Sequence, residues 1–377
     1  MYPVPPLTPL AQGLPATIPF VGPEALERDN GRPLQVRLGA NESAFGISPK
    51  ARQAMIAGID HLAWYNDPEG HDLRTELARR HGTTIDQVGL GAGIDELLGL
   101  LVRLYAEPGT SVVSSLGAYP TFNYHVHGFG AQLHTVPYRE DLEDLEGLLA
   151  TAHRHQPRLL YLANPDNPMG TWHPATDVAA LRDRLPAHCL LILDEAYSEF
   201  APQEARLAPD LDDPRCIHMR TFSKAHGMAG ARIGYALGHH SVIAALNKVR
   251  NHFGVNRLAQ VGALASLQDT DFIAAVVEAV AQGREDYYQL AAELGLRALP
   301  SATNFVALDL GGNGDRARAA LAALLDLDVF VRMPGVAPLD RCIRVTVGTP
   351  PERAALAQAL RQVVAQLPPL PHSAPSS

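Results

Sequence analysis

The chain has 377 residues, of which 46% are hydrophobic and 19% are charged, and this composition is ordinary for a folded protein. The excess of 40 acidic over 31 basic residues gives a net charge of −9, which argues against binding to nucleic acid or to an anionic membrane. Three cysteines at distant positions form no pattern typical of a disulfide framework or a zinc site, and we predict no metal.

The two ends of the chain differ from the rest in composition. Residues 1–20 are rich in proline and apolar residues without periodicity, which predicts an extended arm. They lack the regions of a signal peptide, and no apolar run approaches the ~18 residues of a membrane span, so we expect a cytoplasmic protein. The proline- and serine-rich end predicts a disordered tail over residues 371–377.

Between these ends, short apolar runs alternate with helical patterns, which is typical of crossover units and a mostly parallel sheet. Strands are predicted at Ser111–Ser115, Gln132–Val136, Leu159–Ala163, Cys189–Leu193, Cys216–Arg220 and Ile233–Leu237. Helices are predicted among them at Ile94–Tyr105, Leu142–His153, Asp177–Arg184 and Ser241–Arg250.

The pattern changes after a long helical stretch at Asp271–Leu294. Strands are then predicted at Asn304–Leu310 and Ile343–Val347, with helices at Asp315–Leu325 and Pro351–Gln366. This change predicts a second, smaller α+β domain. We therefore expect a large domain over residues 36–285, a small domain over residues 286–370, and residues 1–35 as an arm that also joins the small domain.

Two polar residues follow buried strands, where open parallel sheets bind their ligands. Asp194 ends the apolar run LLILD, and Lys224 follows the next strand in a short polar turn. A lysine can form a Schiff base with an aldehyde cofactor, while a carboxylate can hold a pyridinium nitrogen protonated. A structural Asp–Lys ion pair is the alternative interpretation of these two residues taken alone.

Other segments favour the cofactor interpretation. In NPDNPMG, Asn167 can donate to a phenolate oxygen, and Tyr197 can do so from the other side, although this segment also fits an ordinary turn. Phe122 can stack on a flat ring, whereas an aromatic residue at this spacing is more often part of a core.

A glycine-rich turn, Gly91-Ala92-Gly93, opens the helix at Ile94 and Asp95, and free N–H groups there can bind a phosphate. Thr221, Ser223 and Arg232 can add further donors to the same phosphate. A dinucleotide site is the competing interpretation, but it requires an acidic residue ~20 positions on, where the next strand instead ends in two serines.

From about Leu38 to Arg361 the chain resembles the fold-type I pyridoxal-phosphate aminotransferases of class I/II, and among them the histidinol-phosphate aminotransferases. The resemblance is carried by nine segments in the family order, namely LGANESAFG, WYNDPEGHDLR, GAGIDELL, YPTF, NPDNPMGTW, ILDEAY, TFSKAHGMAGARIGY, PSATNFVALDL and CIRVTVGTPPE. It implies an α/β fold with a mostly parallel seven-stranded sheet flanked by helices, a smaller α+β C-terminal domain, and pyridoxal 5′-phosphate as cofactor.

The resemblance also implies the role of each site residue. Lys224 would carry the cofactor and shuttle the proton, Asp194 would pair with the ring nitrogen, and Tyr197 and Asn167 would hold the ring oxygen. Phe122 would stack on the ring. The phosphate would be held by the backbone of Ile94 and Asp95 together with Thr221, Ser223 and Arg232. Tyr65 would reach the phosphate of the neighbouring subunit, which implies a homodimer with shared active sites. Arg344 would clamp the substrate carboxylate, and Asn41 would line the same pocket.

The expected reaction is a ping-pong transfer of an amino group between an amino acid, or histidinol phosphate, and a 2-oxo acid such as 2-oxoglutarate. Phe20 stands where the resemblance leads us to expect a phosphate-contacting tyrosine, which weakens the histidinol-phosphate interpretation, while Arg332 keeps a second cation near the pocket. An aromatic amino-acid aminotransferase, or a decarboxylase or synthase on the same fold, remains an alternative. A non-catalytic sensor domain is disfavoured, since no basic helix-turn-helix segment precedes residue 40.

Overall fold

The computed structural model describes residue 2, residues 4–16 and residues 20–368. The tail predicted for residues 371–377 and part of the predicted arm therefore lie outside the described residues. Strands occur at β1 Val36–Arg37, β2 Val88–Gly91, β3 Ser111–Ser115, β4 Gln132–Val136, β5 Leu159–Ala163, β6 Leu190–Asp194, β7 Cys216–Thr221, β8 Gly234–Gly238, β9 Arg297–Ala298, β10 Phe305–Asp309, β11 Val329–Phe330 and β12 Cys342–Thr346.

Helices connect and cover these strands. They occur at α1 Pro9–Gln12, α2 Pro23–Asn30, α3 Pro49–Gly58, α4 His71–His81, α5 Ile94–Tyr105, α6 Pro120–Gly128, α7 Leu145–His155, α8 Ala175–Arg184, α9 His240–Leu246, α10 Arg257–Leu267, α11 Thr270–Glu293, α12 Gly314–Asp326 and α13 Pro350–Gln366. In the part of the chain that is described, none of these helices is both long and apolar enough to cross a bilayer.

The main sheet has seven strands in the order β2-β8-β7-β6-β5-β3-β4. All neighbours are parallel except β8, which runs antiparallel to β2 and β7, so the sheet is mostly parallel as predicted. Its central strands β5 and β6 are buried at every residue, because helices cover both faces. One face packs on α5, α6 and α9, and the other packs on α7 and α8.

The parallel strands β3, β5, β6 and β7 all end at one edge of this sheet. The predicted bounds of β3, β4, β5 and α5 agree with the structure, and those of β6, β7 and β8 differ by one residue. The prediction omitted β2, because VGLG is short and carries two glycines. Asp194 is the last residue of β6 at this edge, and the connections that follow β5 and β7 carry Asn167 and Lys224.

A second set of strands lies in the C-terminal part of the chain. Strands β12, β10 and β9 form an antiparallel sheet, and the short β1 pairs in parallel with β11. Val36 and Leu38 pack in the same apolar cluster as α11, α12 and α13, which brings the segment after the arm next to the C-terminal strands. The predicted boundary between residues 285 and 286 lies inside α11, which continues through it without interruption. The domain boundaries stay a prediction.

A buried ion cluster anchors the turn that follows β6. Glu195 is only 3% exposed, and its Oε2 lies 2.9 Å from Arg220 Nε and 3.2 Å from His218 Nδ1. Burial opposes ionisation of Glu195, but the charges of Arg220 and His218 outweigh it and lower the pKa of Glu195 to about 2. The cluster therefore holds a charged carboxylate directly beside Asp194.

We expect Glu195→Gln to reduce the free energy of unfolding by ~3–5 kcal/mol at neutral pH, because it leaves two buried cations without their anion. Since folding lowers the pKa of Glu195 from 4.5 to about 2, its contribution is complete above pH 4.5 and is lost as the pH falls towards 2. The difference between wild type and variant in urea unfolding should thus shrink on acidification. Glu293→Gln, which breaks an exposed pair with Arg361, is the control and should change stability little. Equal losses in both variants would contradict this account of the cluster.

Candidate active site

A cleft of about 1120 Å³ opens at the edge of the main sheet where the parallel strands end. It extends to the strands of the C-terminal part, since Val331 and Arg344 also line it. All but two of the predicted site residues lie on its wall, namely Phe20, Asn41, Ile94, Asp95, Asn167, Asp194, Tyr197, Thr221, Ser223, Lys224, Arg232, Arg332 and Arg344. The structure thus brings together residues that are up to 324 positions apart in sequence, from Phe20 to Arg344.

Asp194 is the last residue of β6 and is 5% exposed. Its Oδ2 accepts a hydrogen bond of 2.8 Å from the hydroxyl of Tyr161, and its Oδ1 accepts one of 3.0 Å from the N–H of Ala196. Burial raises the pKa of Asp194 to about 6, although both hydrogen bonds oppose this shift. The carboxylate is therefore ionised at neutral pH and fixed in orientation.

Lys224 lies in the turn after β7, and its Nζ donates to the carbonyl oxygen of Asn41 at 3.0 Å. The turn needs a glycine at position 227, where φ is +68° and an added Cβ would lie 1.9 Å from the carbonyl oxygen of Gly46. Burial, together with the charge of Arg344, lowers the pKa of Lys224 to about 8. A minor fraction of the amine is therefore neutral at pH 7, more than for an ordinary lysine, and the neutral amine is the form that accepts a proton.

Tyr197 and Asn41 form a hydrogen-bonded pair on the wall beside Lys224. The Nδ2 of Asn41 donates to the Tyr197 hydroxyl at 3.0 Å, and Asn41 adopts a left-handed backbone with φ of +56°. The Thr346 hydroxyl of β12 donates to Asn41 Oδ1 at 3.2 Å and fixes the orientation of the amide. Burial raises the pKa of Tyr197 to about 12, so its hydroxyl stays protonated and can donate a hydrogen bond to a ligand.

Asn167 and Arg344 are in contact on the cleft wall. A guanidinium N–H of Arg344 donates to Asn167 Oδ1, and a second one donates to the carbonyl oxygen of Gly39 at 3.2 Å. The amide NH₂ group of Asn167 is therefore the part that can donate to a ligand. Burial lowers the pKa of Arg344 to about 10, which leaves the side chain cationic at neutral pH. Its Nε is buried and has no hydrogen-bond partner among the described residues.

The glycine turn before α5 forms an anion cradle with Arg232. Gly93 has a φ of +84°, which favours glycine, and it lies so close to Arg232 that a Cβ there would be 2.6 Å from Nη2. Thr221 and Ser223 line the same region, with the Thr221 hydroxyl donating to that of Ser223 at 2.9 Å. The first N–H groups of the twelve-residue helix α5 and the guanidinium provide positive potential for a phosphate.

Two predicted site residues do not line this cleft. The structure does not place Phe122 on the cleft wall, since its side chain is fully buried and stacks on Tyr161 at 4.8 Å between centroids. Pro120 starts α6, and Phe122 then points into the core, whereas Tyr119 before it stays on the cleft wall. Tyr119 also donates to Asp95 Oδ1 at 2.8 Å, which makes it the better candidate for contact with a flat ligand.

The second is Tyr65, which is 80% exposed and packs on Phe253 at 4.7 Å, outside the cleft of its own chain. Its role at a neighbouring subunit stays a prediction. Tyr161, which was not predicted, also lines the cleft; LLYLA looks like an uninterrupted apolar strand and gives no sign that one hydroxyl reaches the cleft.

The outer part of the cleft combines a cation with aromatic rings. The Phe20 ring lies 6.4 Å from that of Tyr119, and the guanidinium of Arg332 lies 5.5 Å from the Phe20 ring. Arg332 also donates to the carbonyl oxygen of Val21 at 2.9 Å, and this hydrogen bond holds the chain around Val21 against this wall. The cleft therefore ends in a surface that suits an anionic or an aromatic group.

Comparisons with known proteins agree with this geometry. Residues 33–360 match the model of the family "Aminotransferase class I and II". The chain is 38% identical to histidinol-phosphate aminotransferase 2 of Ralstonia nicotianae over 88% of this chain and 89% of the relative, and 32% identical to histidinol-phosphate aminotransferase of Geobacillus sp. over 94% and 96%. The crystal structure of histidinol-phosphate aminotransferase from Sinorhizobium meliloti in complex with pyridoxal-5′-phosphate is 50% identical, with a TM-score of 0.93 over 95% of this chain and 97% of that one. The predicted resemblance and α/β fold class are confirmed, and the chain belongs to the class I and II aminotransferase family.

Proposed function

We propose that this chain is a pyridoxal-phosphate-dependent aminotransferase that uses histidinol phosphate and a 2-oxo acid. One observation carries the proposal, namely that the amine of Lys224 and the carboxylate of Asp194 face one cleft that also contains the anion cradle of Gly93 and Arg232. An ion pair that only stabilises the fold needs neither the cleft nor the cradle. The structural interpretation of Lys224 and Asp194 is therefore disfavoured.

The residues present fit pyridoxal phosphate. The first N–H groups of α5 and the Arg232 guanidinium would hold the phosphate, with Thr221 and Ser223 as further donors. Asp194 would hold the ring nitrogen, and Tyr197 and Asn167 would donate to the ring oxygen. When bound, the cofactor supplies an aldehyde that links covalently to an amine and a ring that withdraws electrons from the carbon bearing that amine.

The side chains of the chain move and hold the protons of the reaction. Lys224 Nζ, with its pKa lowered to about 8, would take the proton from the carbon that bears the substrate amino group and deliver it to the carbon on the other side of that nitrogen. Asp194, ionised at neutral pH, would keep the ring nitrogen protonated. The Tyr197 hydroxyl and the Asn167 amide would stabilise negative charge on the ring oxygen.

Substrate recognition would use the two arginines of the C-terminal part. Arg344, which lines the cleft and is cationic at neutral pH, would bind the carboxylate of the 2-oxo acid and of its amino product. Arg332 at the outer end would bind the phosphate of histidinol phosphate. The relatives named for this substrate, at 32–38% identity, support histidinol phosphate as the substrate.

An aromatic amino-acid aminotransferase is the second candidate. The observation in its favour is that Phe20 and Tyr119 line the outer cleft with two rings 6.4 Å apart, and Phe20 has no hydroxyl for a phosphate. Arg344 would then bind the carboxylate of both substrates, and Arg332 would pack on a ring.

A homodimer with shared active sites also belongs to this proposal. Trp64, Tyr65 and Phe253 expose 66%, 80% and 46% of their surface, which is a large apolar area for one surface region. A second copy of the chain would cover these rings and bring Tyr65 to the phosphate of its partner. Sedimentation equilibrium should give a dimer for both wild type and Tyr65→Phe. Titration of the apoproteins with pyridoxal phosphate should show weaker cofactor binding in the variant.

A half-reaction screen tests the substrate. The holoenzyme is mixed with a single amino donor, and the loss of its visible absorbance band is recorded for histidinol phosphate, glutamate, phenylalanine and tyrosine. We expect histidinol phosphate and glutamate to bleach the band, because Arg332 and Arg344 match their anionic groups. Double-reciprocal plots of the full reaction should be parallel, as a ping-pong mechanism requires.

Other outcomes would change the assignment in defined ways. Bleaching by phenylalanine with inert histidinol phosphate would favour the aromatic aminotransferase. Release of carbon dioxide from an amino acid would favour a decarboxylase on the same fold. Intersecting double-reciprocal lines would count against amino-group transfer altogether.

A further inference from the structure

Tyr161 lies in the middle of β5 and places one polar atom at the cleft. Its side chain is fully buried, its ring stacks on Phe122 at an angle of 17°, and it packs on the same side of the sheet as α5 and α6. Its hydroxyl donates to Asp194 Oδ2 at 2.8 Å. Because Phe122 fixes the ring, the direction of this hydroxyl is fixed as well.

The two oxygens of Asp194 thus have separate fixed partners. The N–H of Ala196 binds Oδ1 from the turn that follows β6, and the hydroxyl of Tyr161 binds Oδ2 from the neighbouring strand. One partner would leave the carboxylate free to rotate about its last bond, whereas two partners on different elements define its plane. The orientation of the lone pairs that remain on Asp194 is then fixed as well.

We propose that Tyr161 is a positioning residue, whose hydroxyl orients the Asp194 carboxylate towards the cleft and keeps it ionised for the ring nitrogen of the cofactor. This inference rests on the proposed function and deepens it. Tyr161 acts through Asp194 and takes no part in the proton transfers itself. This role also explains why a tyrosine occupies a strand position whose neighbours Leu160 and Leu162 are apolar.

The charges around Asp194 show why the hydroxyl matters. The titratable and charged groups that face it from the surrounding elements are Asp95, Glu143, Tyr161, Glu195, Tyr197 and Lys224. Burial is the largest influence and raises the pKa of Asp194, and Asp95 and Glu195 raise it further. The hydrogen bond from Tyr161 is the largest of the influences that lower the pKa of Asp194. Without that bond the pKa of Asp194 would rise above about 6, into the neutral range.

Tyr161→Phe removes this hydroxyl and keeps the ring that packs on Phe122. We expect the affinity of the apoprotein for pyridoxal phosphate at pH 7 to fall roughly 10-fold, the effect of a hydrogen bond to a charged group. The loss should shrink as the pH is raised, because Asp194 is then ionised without the help of Tyr161. The acidic limb of the kcat profile should move up by about one pH unit.

A cofactor analogue with carbon in place of the ring nitrogen makes the test specific. This analogue has no nitrogen for Asp194 to hold, so Tyr161→Phe and wild type should bind it equally well. Tyr287→Phe is the matched control, since it also removes a buried hydroxyl, which donates to the carbonyl oxygen of Thr346 at 2.9 Å. It should lower the unfolding midpoint as Tyr161→Phe does, but leave the cofactor affinity and the pH profile unchanged.

The outcomes separate this inference from the proposed function. Failure of the wild-type apoprotein to bind pyridoxal phosphate would overturn the proposed function. Normal binding by wild type, combined with equal affinities in Tyr161→Phe and Tyr287→Phe, would overturn the role of Tyr161 alone. An equal loss of affinity for the cofactor and for its carbon analogue would also overturn it, because the effect would then not pass through the ring nitrogen.

Discussion

Replacing Lys224 with alanine will reduce kcat by roughly 10⁴-fold or more, because it removes both the amine that links to the cofactor and the group that moves the proton. Borohydride reduction of wild-type holoenzyme followed by mass spectrometry should place the cofactor on the peptide that contains Lys224. The same treatment of the variant should leave that peptide unmodified.

The fold of the Lys224→Ala variant should remain intact. Lys224 Nζ makes one hydrogen bond, to the carbonyl oxygen of Asn41, and burial lowers its pKa from 10.5 to about 8. A lysine with a lowered pKa disfavours folding below that pKa, so its removal should keep or raise the unfolding midpoint of the apoprotein at pH 7. A large drop in that midpoint would show a structural role for Lys224.

Lys224→Arg is the matched control for charge. Arginine keeps the positive charge in the cleft, but it stays protonated in proteins and cannot accept a proton from a substrate. We expect this variant to be as inactive as Lys224→Ala. Small alkylamines in solution should restore part of the activity of Lys224→Ala and none of that of Lys224→Arg, because only the smaller side chain leaves room for them. Substantial activity in Lys224→Arg would contradict the assigned proton transfer.

Much of the site could be predicted because its key residues follow strands with strong signals. The runs LLYLA and LLILD are apolar throughout, which predicts central parallel strands and places Asp194 at the strand end where ligands bind. Gly93 could be placed at a helix start from the sequence alone, since the apolar periodicity of α5 begins directly after it.

The aromatic wall could not be predicted in the same way. Tyr119 and Phe122 are three positions apart, so a helix through both would place them on one side. Pro120 begins α6 after Tyr119, and the bend there separates the two rings, one into the cleft and the other into the core. The identity of the residue at the cleft thus depends on where the helix starts, and sequence patterns define helix ends poorly.

Contacts between distant segments were also beyond the reach of the sequence. Asn41 adopts a left-handed backbone and joins Tyr197, Lys224 and Thr346, yet nothing in LGANES marks this conformation. Tyr161 reaches Asp194 only because two parallel strands pair in one register, with Ala163 opposite Asp194. Register and tertiary contact are set by the packing of whole elements, which residue-by-residue patterns do not contain.

Replacing Asp194 with alanine will reduce kcat by roughly 10³-fold, the scale of losing one preorganised electrostatic contact to the reacting group. The loss follows because the ring nitrogen would no longer meet an anion, so the ring would withdraw electrons less strongly. The β6 strand should remain intact, since Leu190–Leu193 supply its buried contacts. Steady-state kinetics and the visible spectrum of the holoenzyme measure the effect.

A cofactor methylated on its ring nitrogen separates the electrostatic role of Asp194 from a structural one. The methylated ring carries its positive charge permanently, and alanine leaves space where the carboxylate stood. We therefore expect this cofactor to restore a large part of kcat to Asp194→Ala but to bind poorly to wild type, where the carboxylate and the Tyr161 hydroxyl fill that space. Failure of the methylated cofactor to raise the activity of Asp194→Ala, in a variant that binds it and unfolds normally, would show that Asp194 does not act through the charge of the ring.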